Sequence, residues 1–324
     1  MRPTTVNLAH AVPVLRRTDG WLQVGLAPSR SVVLPPAAEP LLRACDGTLG
    51  RDDIVAQLGA GASSTLALLL RNHLVVAQQP LPGSHDAVLR AHGLAAGVPH
   101  ADVRVVGGGR LGSTIAMLVS AMGLPQVRVV DPRPVTAADV TPWGANRIDI
   151  GVRRDHTCAA LLERMHRGAQ SHHARPGPRD QPAVDILVLD QVADWPWLDA
   201  RAATDQMAAD VAHLVVAPGS DCVAITHVIE PGVTPCLGCH HHAQADADGQ
   251  WPQLCLQLAQ RTAVDTADLG LVLVGAWRAA QTLAEWLLGR GRRAGAQYVG
   301  LDNGNVMRAW ERHPACGCAW DSGD

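Results

Sequence analysis

Two groups of residues in this chain have the types and spacing to do chemistry. The first is Gly107-Gly108-Gly109-Arg110-Leu111-Gly112, which follows the apolar stretch Val103 to Val106 and precedes an amphipathic run from Ser113 to Met122. A second apolar stretch, Val127 to Val130, ends on Asp131. Strand, glycine turn, helix, strand and acid in this order form the start of a dinucleotide-binding unit. Gly107 allows the tight turn, Gly109 lets backbone N–H groups approach a phosphate, and Gly112 lets the helix close on the strand. The helix N-terminus offers unpaired N–H groups and partial positive charge to an anion. Asp131 is placed to accept hydrogen bonds from a ribose.

The second group is two close cysteine pairs. Pro235-Cys236-Leu237-Gly238-Cys239 is followed at once by His240 to His242, and His313-Pro314-Ala315-Cys316-Gly317-Cys318 lies near the far end. Four thiolates in two pairs suit tetrahedral zinc, with no position left for water, so the metal is expected to be structural. The rival set is Cys236, Cys239, one histidine of His240 to His242 and one later cysteine. Cys45, Cys158, Cys222 and Cys255 are scattered and read as small buried apolar residues.

The elements that must position these groups follow from hydrophobic period and turn signals. Val12 to Leu15, Trp21 to Leu26 and Ser31 to Leu34 read as three strands, and Ala38 to Ala44, Arg51 to Leu58 and Ser63 to Asn72 as three helices. Strands first and helices after predict a small α+β unit of winged-helix type over residues 1–80. Residues 81–101, rich in Pro and Gly, read as a linker with one weak helix from Asp86 to His92. From Asp102 onward strands alternate with helices: Cys158 to Met165 helical, Gln170 to Pro182 a loop, Val184 to Asp190 a strand, Leu198 to Ala209 helical, then strands at Ala212 to Ala217 and Val223 to Val228. Trp251 to Arg261 lies between the cysteine pairs, a long apolar helix covers Leu269 to Leu288, and Tyr298 to Leu301 is a last strand. The prediction for 102–324 is a Rossmann-like, doubly wound α/β sheet.

These residues carry two resemblances to known families. The N-terminal unit, through its three-strand sheet, its Asp46-Gly47-Thr48 turn and a closing helix ending in Leu74-Val75-Val76, resembles the PqqD-like peptide-recognition domain. That resemblance implies that a leader peptide adds a strand beside Ser31, Val32, Val33 and Leu34, against Leu66, Leu69 and Leu70. The larger part, through Gly107, Gly109, Gly112, Asp131, Cys236, Cys239, Cys316 and Cys318, resembles the E1-like adenylating superfamily that includes ThiF and MoeB. That family binds ATP on the glycine turn and staples its C-terminal part with zinc. Together the two parts look like the ThiF-like partner protein of azoline-forming ribosomal-peptide systems, which delivers a precursor peptide to a separate YcaO cyclodehydratase.

The departures from the family pattern decide between partner protein and enzyme. Active members carry Asn-Leu-x-Arg-Gln after the ribose aspartate; here Ala138-Asp139-Val140-Thr141-Pro142-Trp143 lacks the arginine, and Arg147 is at the wrong spacing. Active members also use a lysine after a Gly-x-Pro turn; Gly151-Val152-Arg153-Arg154 offers Arg154 there, in a chain without any lysine. Arginine is bulkier and forked, so the exchange is not neutral at a phosphate. The catalytic aspartate of the family would be Asp190 or Asp194, neither in the usual Thr-Asp-Asn context. The resemblance therefore implies a binding and scaffold protein with a degenerate adenylation site and no catalytic residue. The alternative is an active adenylyltransferase that activates a peptide C-terminus for sulfur transfer. A third reading, a nicotinamide-dependent oxidoreductase, lacks a hydride-transfer acid.

Composition narrows the partners. The 324 residues carry a net charge of −3, which argues against capture of nucleic acid. With 47% apolar residues a large core can be buried, yet no stretch approaches ~20 consecutive apolar residues, so no membrane span is expected. No signal-peptide run opens the chain, so a cytoplasmic location is expected. Family members dimerise through the ThiF-like part, which implies a homodimer here.

Overall fold

The computed structural model describes residues 5–9, 12–27, 30–78, 101–122, 126–165, 184–189, 200–259, 268–289, 294–301 and 305–318. Two compact units divide the chain, Met1–Val98 and Pro99–Asp324. The expected linker helix at Asp86 to His92 and the loop at Gln170 to Pro182 lie outside the described residues, as do Asp190 and Asp194.

In the first unit, β2 (Val14–Arg16), β3 (Leu22–Ala27) and β4 (Arg30–Leu34) form an antiparallel sheet in the order β2-β3-β4. Between β2 and β3, Gly20 takes a left-handed φ of +83° and Asp19 Oδ1 accepts the Trp21 N–H at 3.0 Å. Helices α1 (Glu39–Ala44), α2 (Arg51–Leu58) and α3 (Ala60–Arg71) follow. Asp46 Oδ1 accepts the Thr48 N–H at 2.9 Å in the turn after α1, and Gly59 with φ +84° separates α2 from α3. Leu22, Leu34, Leu42, Ile54, Leu66 and Leu69 close the core.

One expectation is corrected here. Leu74-Val75-Val76 does not end the closing helix. The helix stops at Arg71, His73 takes a φ of 54°, and the chain enters β5 (Val75–Gln78), which pairs antiparallel with β1 (Thr5–Leu8). The β1 strand was not legible, because four residues of mixed polarity gain their partner only from a segment about seventy residues away.

In the second unit a seven-stranded sheet has the order β12-β11-β10-β9-β8-β6-β7. Strands β7 (Gln126–Val130), β6 (Asp102–Val106), β8 (Val184–Val188) and β9 (Ala212–Pro218) are parallel neighbours. Strands β10 (Cys222–Thr226), β11 (Gly295–Gly300) and β12 (Val306–Ala309) extend the sheet antiparallel. The central parallel strands β8 and β9 are buried and rich in Val, Ile and Leu, as strands covered on both faces must be, while the edge strand β7 is half-buried with Val130 exposed. In chain order the parallel part reads second-first-third-fourth, so the order reverses between β6 and β8, the switch point at which open α/β sheets place a ligand.

Helix α4 (Arg110–Ala121) leaves the glycine turn, and α5 (Arg154–Met165) precedes β8. Further along are α6 (Ala200–Ala208), α7 (Leu237–Ala247), α8 (Trp251–Ala259) and α9 (Leu269–Leu287). The long apolar helix α9 packs on α4 and β10, where Gly275 allows the approach: a Cβ there would lie 2.7 Å from Val223 Cγ2. No described helix is long and apolar enough to cross a membrane.

Candidate functional site

The glycine turn lies at the C-terminal end of β6 and is fastened to β7. The Gly107 N–H donates to Val130 O at 3.1 Å, and the Gly108 N–H donates to Asp131 Oδ2 at 2.8 Å. Gly107 has φ +105°, and a Cβ there would lie 2.5 Å from Val188 O on β8. A Cβ on Gly112 would lie 1.8 Å from Gly107 O, so helix and turn touch backbone to backbone. Gly109 is the N-cap of α4 in an extended conformation, with no side chain capping the helix. The tight turn and the close approach of helix to strand are therefore both present, with the Gly108 N–H committed to Asp131.

The charges beside the turn pair with one another. Asp131 is 2% exposed and accepts five hydrogen bonds: from the Gly108 N–H, from the Arg133 N–H at 3.1 Å, from Arg133 Nε and Nη2 at 2.7 Å each, and from Arg154 Nη1 at 3.3 Å. Burial pushes its carboxyl up, but the Arg133 guanidinium and the backbone amides outweigh burial and hold it at about 2. Arg154, 8% exposed, spans Asp131 and Asp139: its Nε donates to Asp139 Oδ2 at 3.0 Å and its Nη2 lies 2.9 Å from Asp139 Oδ1. Burial alone would ease the proton off Arg154; Asp139 and Asp131 reverse this and raise its affinity. Asp139 also accepts from the N–H and hydroxyl of Thr136 at 2.7 and 3.0 Å. Two guanidiniums thus meet two carboxylates in one closed network. Arg147, on an exposed turn, takes no part in it.

The segment that should carry the family arginine packs on α4 instead. Trp143 Nε1 donates to Thr114 Oγ1 at 2.9 Å, Thr114 donates on to Arg110 O at 2.6 Å, and Thr141 is buried beside Gly144.

The four cysteines converge. Sγ atoms of Cys236, Cys239, Cys316 and Cys318 all lie within 4.8 Å of one another, with Cys236 to Cys316 at 3.4 Å and Cys239 to Cys318 at 3.3 Å. Four thiolates bound at about 2.3 Å to a tetrahedral ion sit roughly 3.8 Å apart, so the donor set fits one metal ion. Gly238 is required between the first two: a Cβ there would lie 2.8 Å from Cys316 Sγ. Cys236 is the N-cap of α7, a helix the sequence reading left out. His240 is not in the cluster; its ring stacks on Trp310 at 4.4 Å, and burial with neighbouring His241 lowers it to about 4. The histidine-containing ligand set is thereby displaced by the four-cysteine set among the described residues. The cluster joins a core with Leu187, Val215, Ile229 and Trp310. It ties the C-terminal segment to the sheet, and Arg312 Nη2 adds bonds to Gly232 O at 2.7 Å and Val233 O at 2.5 Å.

A glycine turn beside an acid at the switch point of the sheet, with a four-cysteine cluster joining the chain's end to the sheet, invites comparison with solved structures. The fold is that of MccB. E. coli MccB crystallised with AMPCPP and MccA matches over 97% of this chain and 99% of its own, with TM-score 0.71 and 12% identity. The microcin C7 biosynthetic enzyme MccB in complex with N-formylated MccA matches over the same shares, with TM-score 0.69 and 13% identity. The heterocyclase TruD matches over 98% of this chain and 43% of its own, with TM-score 0.59 and 13% identity. No protein-family model and no curated protein matches the sequence.

In the first unit the residues expected at a peptide edge divide. Val33 is exposed, Ser31, Val32 and Leu70 are half-buried, and Leu34, Leu66 and Leu69 lie in the core. Strand β4 is nonetheless an edge of its sheet among the described residues.

Proposed function

We propose that this chain is a peptide-binding partner protein of ribosomal-peptide modification. It captures a precursor's leader peptide and presents the rest to a YcaO-type cyclodehydratase in the cytoplasm. The observation that carries the reading is the position of Arg154, held between Asp131 and Asp139 rather than left open to a phosphate. Adenylation needs positive charge that is free to meet a triphosphate as its charge shifts. Here Arg154 is paired internally, Arg133 covers Asp131, and the segment Ala138 to Trp143 holds no arginine.

The fold supports a role in peptide modification, which both this reading and its rival share. It is shared with MccB, a microcin C7 biosynthetic enzyme, and with a portion of TruD, a heterocyclase. Residues 1–80 would act as the PqqD-like recognition domain, with β4 receiving the leader peptide beside Leu70. Residues 102–324 would be the ThiF-like scaffold, dimeric as in its family. The four cysteines would hold a structural zinc, since four thiolates complete the tetrahedron.

The decisive experiment is ATP–pyrophosphate exchange with the cognate precursor, together with calorimetry of ATP and magnesium. The expected result is no exchange and no heat. The second reading, an active adenylyltransferase, is favoured by the intact glycine turn and by the shared fold with MccB crystallised with ATP. Exchange that depends on the peptide would establish that reading instead.

A further inference from the structure

The first unit contains a groove that the expected peptide edge does not use. It holds about 520 Å³ between β2, α1 and the Asn7–Leu8 end of β1, at the edge of the sheet opposite β4. Its floor is Leu22, Leu42 and Cys45, all buried, and Val14 and Arg16 line one wall.

Three features point to a strand-shaped occupant. First, β2 is an edge strand among the described residues, pairing only with β3. The ladder bonds run through Pro13 O, which accepts from Gly25, and the Arg17 N–H, which donates to Trp21 O. Odd-numbered residues therefore face β3, and Val14 and Arg16 turn their N–H and C=O outward. Second, Val14 and Arg16 share one face by the two-residue period, and it is the face that lines the groove. A strand added here would turn alternate side chains toward Leu42 and Cys45, beside Val14 and Arg16. Third, two exposed arginines stand side by side on this wall, each using one Nη atom on Glu39 and leaving the rest of its guanidinium open. Arg16 Nη2 and Arg43 Nη2 each lie 2.8 Å from one oxygen of Glu39, so two cations share one carboxylate, with the arginine side chains 59% and 79% exposed. Asp46, the second carboxylate of the lining, keeps its charge and accepts the N–H and hydroxyl of Thr48 through Oδ1.

We propose that this groove binds an extended peptide segment by strand addition to β2, taking an aliphatic side chain on the floor and an acidic side chain, two residues away, against Arg16 and Arg43. The proposal rests on the peptide-binding reading above and adds a second contact to it. The segment read would span roughly five residues, set by the Pro13-to-Arg17 stretch over which β2 is laddered to β3.

The test uses the full-length protein and fluorescence anisotropy with labelled Ser-Glu-Thr-Leu-Thr and its reversal Thr-Leu-Thr-Glu-Ser, covering both strand directions. Control peptides carry lysine in place of glutamate. The glutamate peptide in one direction is expected to bind about tenfold more tightly than its lysine control. The double variant Arg16→Glu with Arg43→Glu is expected to reverse that preference; its sites are exposed, and a matched thermal melt verifies folding. Equal binding of glutamate and lysine peptides, or no binding in either direction at millimolar peptide, overturns the proposal. So does binding that Val33→Pro on β4 abolishes and Arg16→Glu leaves untouched. That last result removes the groove but keeps peptide binding at β4, and ATP–pyrophosphate exchange tests the scaffold reading independently of all three.

Discussion

Arg154 and Asp139 form a two-pronged pair across the connection from β7 to α5, at 3.0 Å from Nε to Oδ2 and 2.9 Å from Nη2 to Oδ1. Both side chains are buried, and Arg154 is shared with Asp131. Removing one member of a buried pair leaves the other charged and desolvated. Arg154→Met is therefore expected to lower unfolding free energy by about 3 kcal/mol or more. Adding Asp139→Asn to it should recover part of the loss. Urea denaturation of the single and double variants reads both numbers, and an unchanged midpoint in Arg154→Met would contradict the network.

The glycine turn yields a contrast in which the same substitution has opposite signs. Gly112→Ala drives a Cβ to 1.8 Å from Gly107 O and is expected to cost about 3 kcal/mol or to prevent folding. Gly61→Ala, inside α3 with nothing within 4 Å of its Cβ, should add up to about 1 kcal/mol. Thermal melts of the two variants side by side decide the matter.

The four-cysteine cluster predicts one tightly held zinc per chain, read by metal analysis of the purified protein. Cys236→Ser or Cys318→Ser should abolish stoichiometric zinc and lower Tm by about 10 °C, because the cluster anchors Trp310 and the C-terminal segment. Zinc retained in full by both variants would rule out the proposed ligand set.

Acid should unfold the protein in two stages. His213, 2% exposed on β9, has its pKa lowered chiefly by burial, against opposing effects of Val211 O and Asp185. The folded state resists its protonation, so this group costs stability as pH falls below its unfolded value of about 6.5. Asp131 acts in the same direction at lower pH: its folded pKa of about 2 lies below the unfolded value. Its contribution of about 2 kcal/mol is complete above pH ~4 and is lost as pH falls toward 2. Denaturation midpoints across pH 2 to 8 should show both slopes, and Asp131→Asn should flatten the lower one.

What the sequence alone determined is local. The glycine turn, its flanking strands and the aspartate stand in consecutive residues, so their types dictate the conformation with no help from afar. The cysteine pairs were legible for the same reason, since a CxxC turn and a CxC turn each prepare two ligands within a few residues. Helices α2 and α9 appeared where period and turn residues placed them.

What only the tertiary structure decided is direction. Arg154 sits at the spacing of a phosphate ligand, yet Asp131 and Asp139, distant in sequence, bind its guanidinium inside the protein. Leu66 and Leu69 share a helix face with Leu70, but sheet and helices close over the first two and leave the third half-covered. The pairing of β1 with β5 and the groove beside β2 likewise arise where separate segments meet. Residue type and period determine which side of an element is apolar or charged; what stands opposite that side is fixed only when the chain packs, because burial and Coulomb energies depend on neighbours in space.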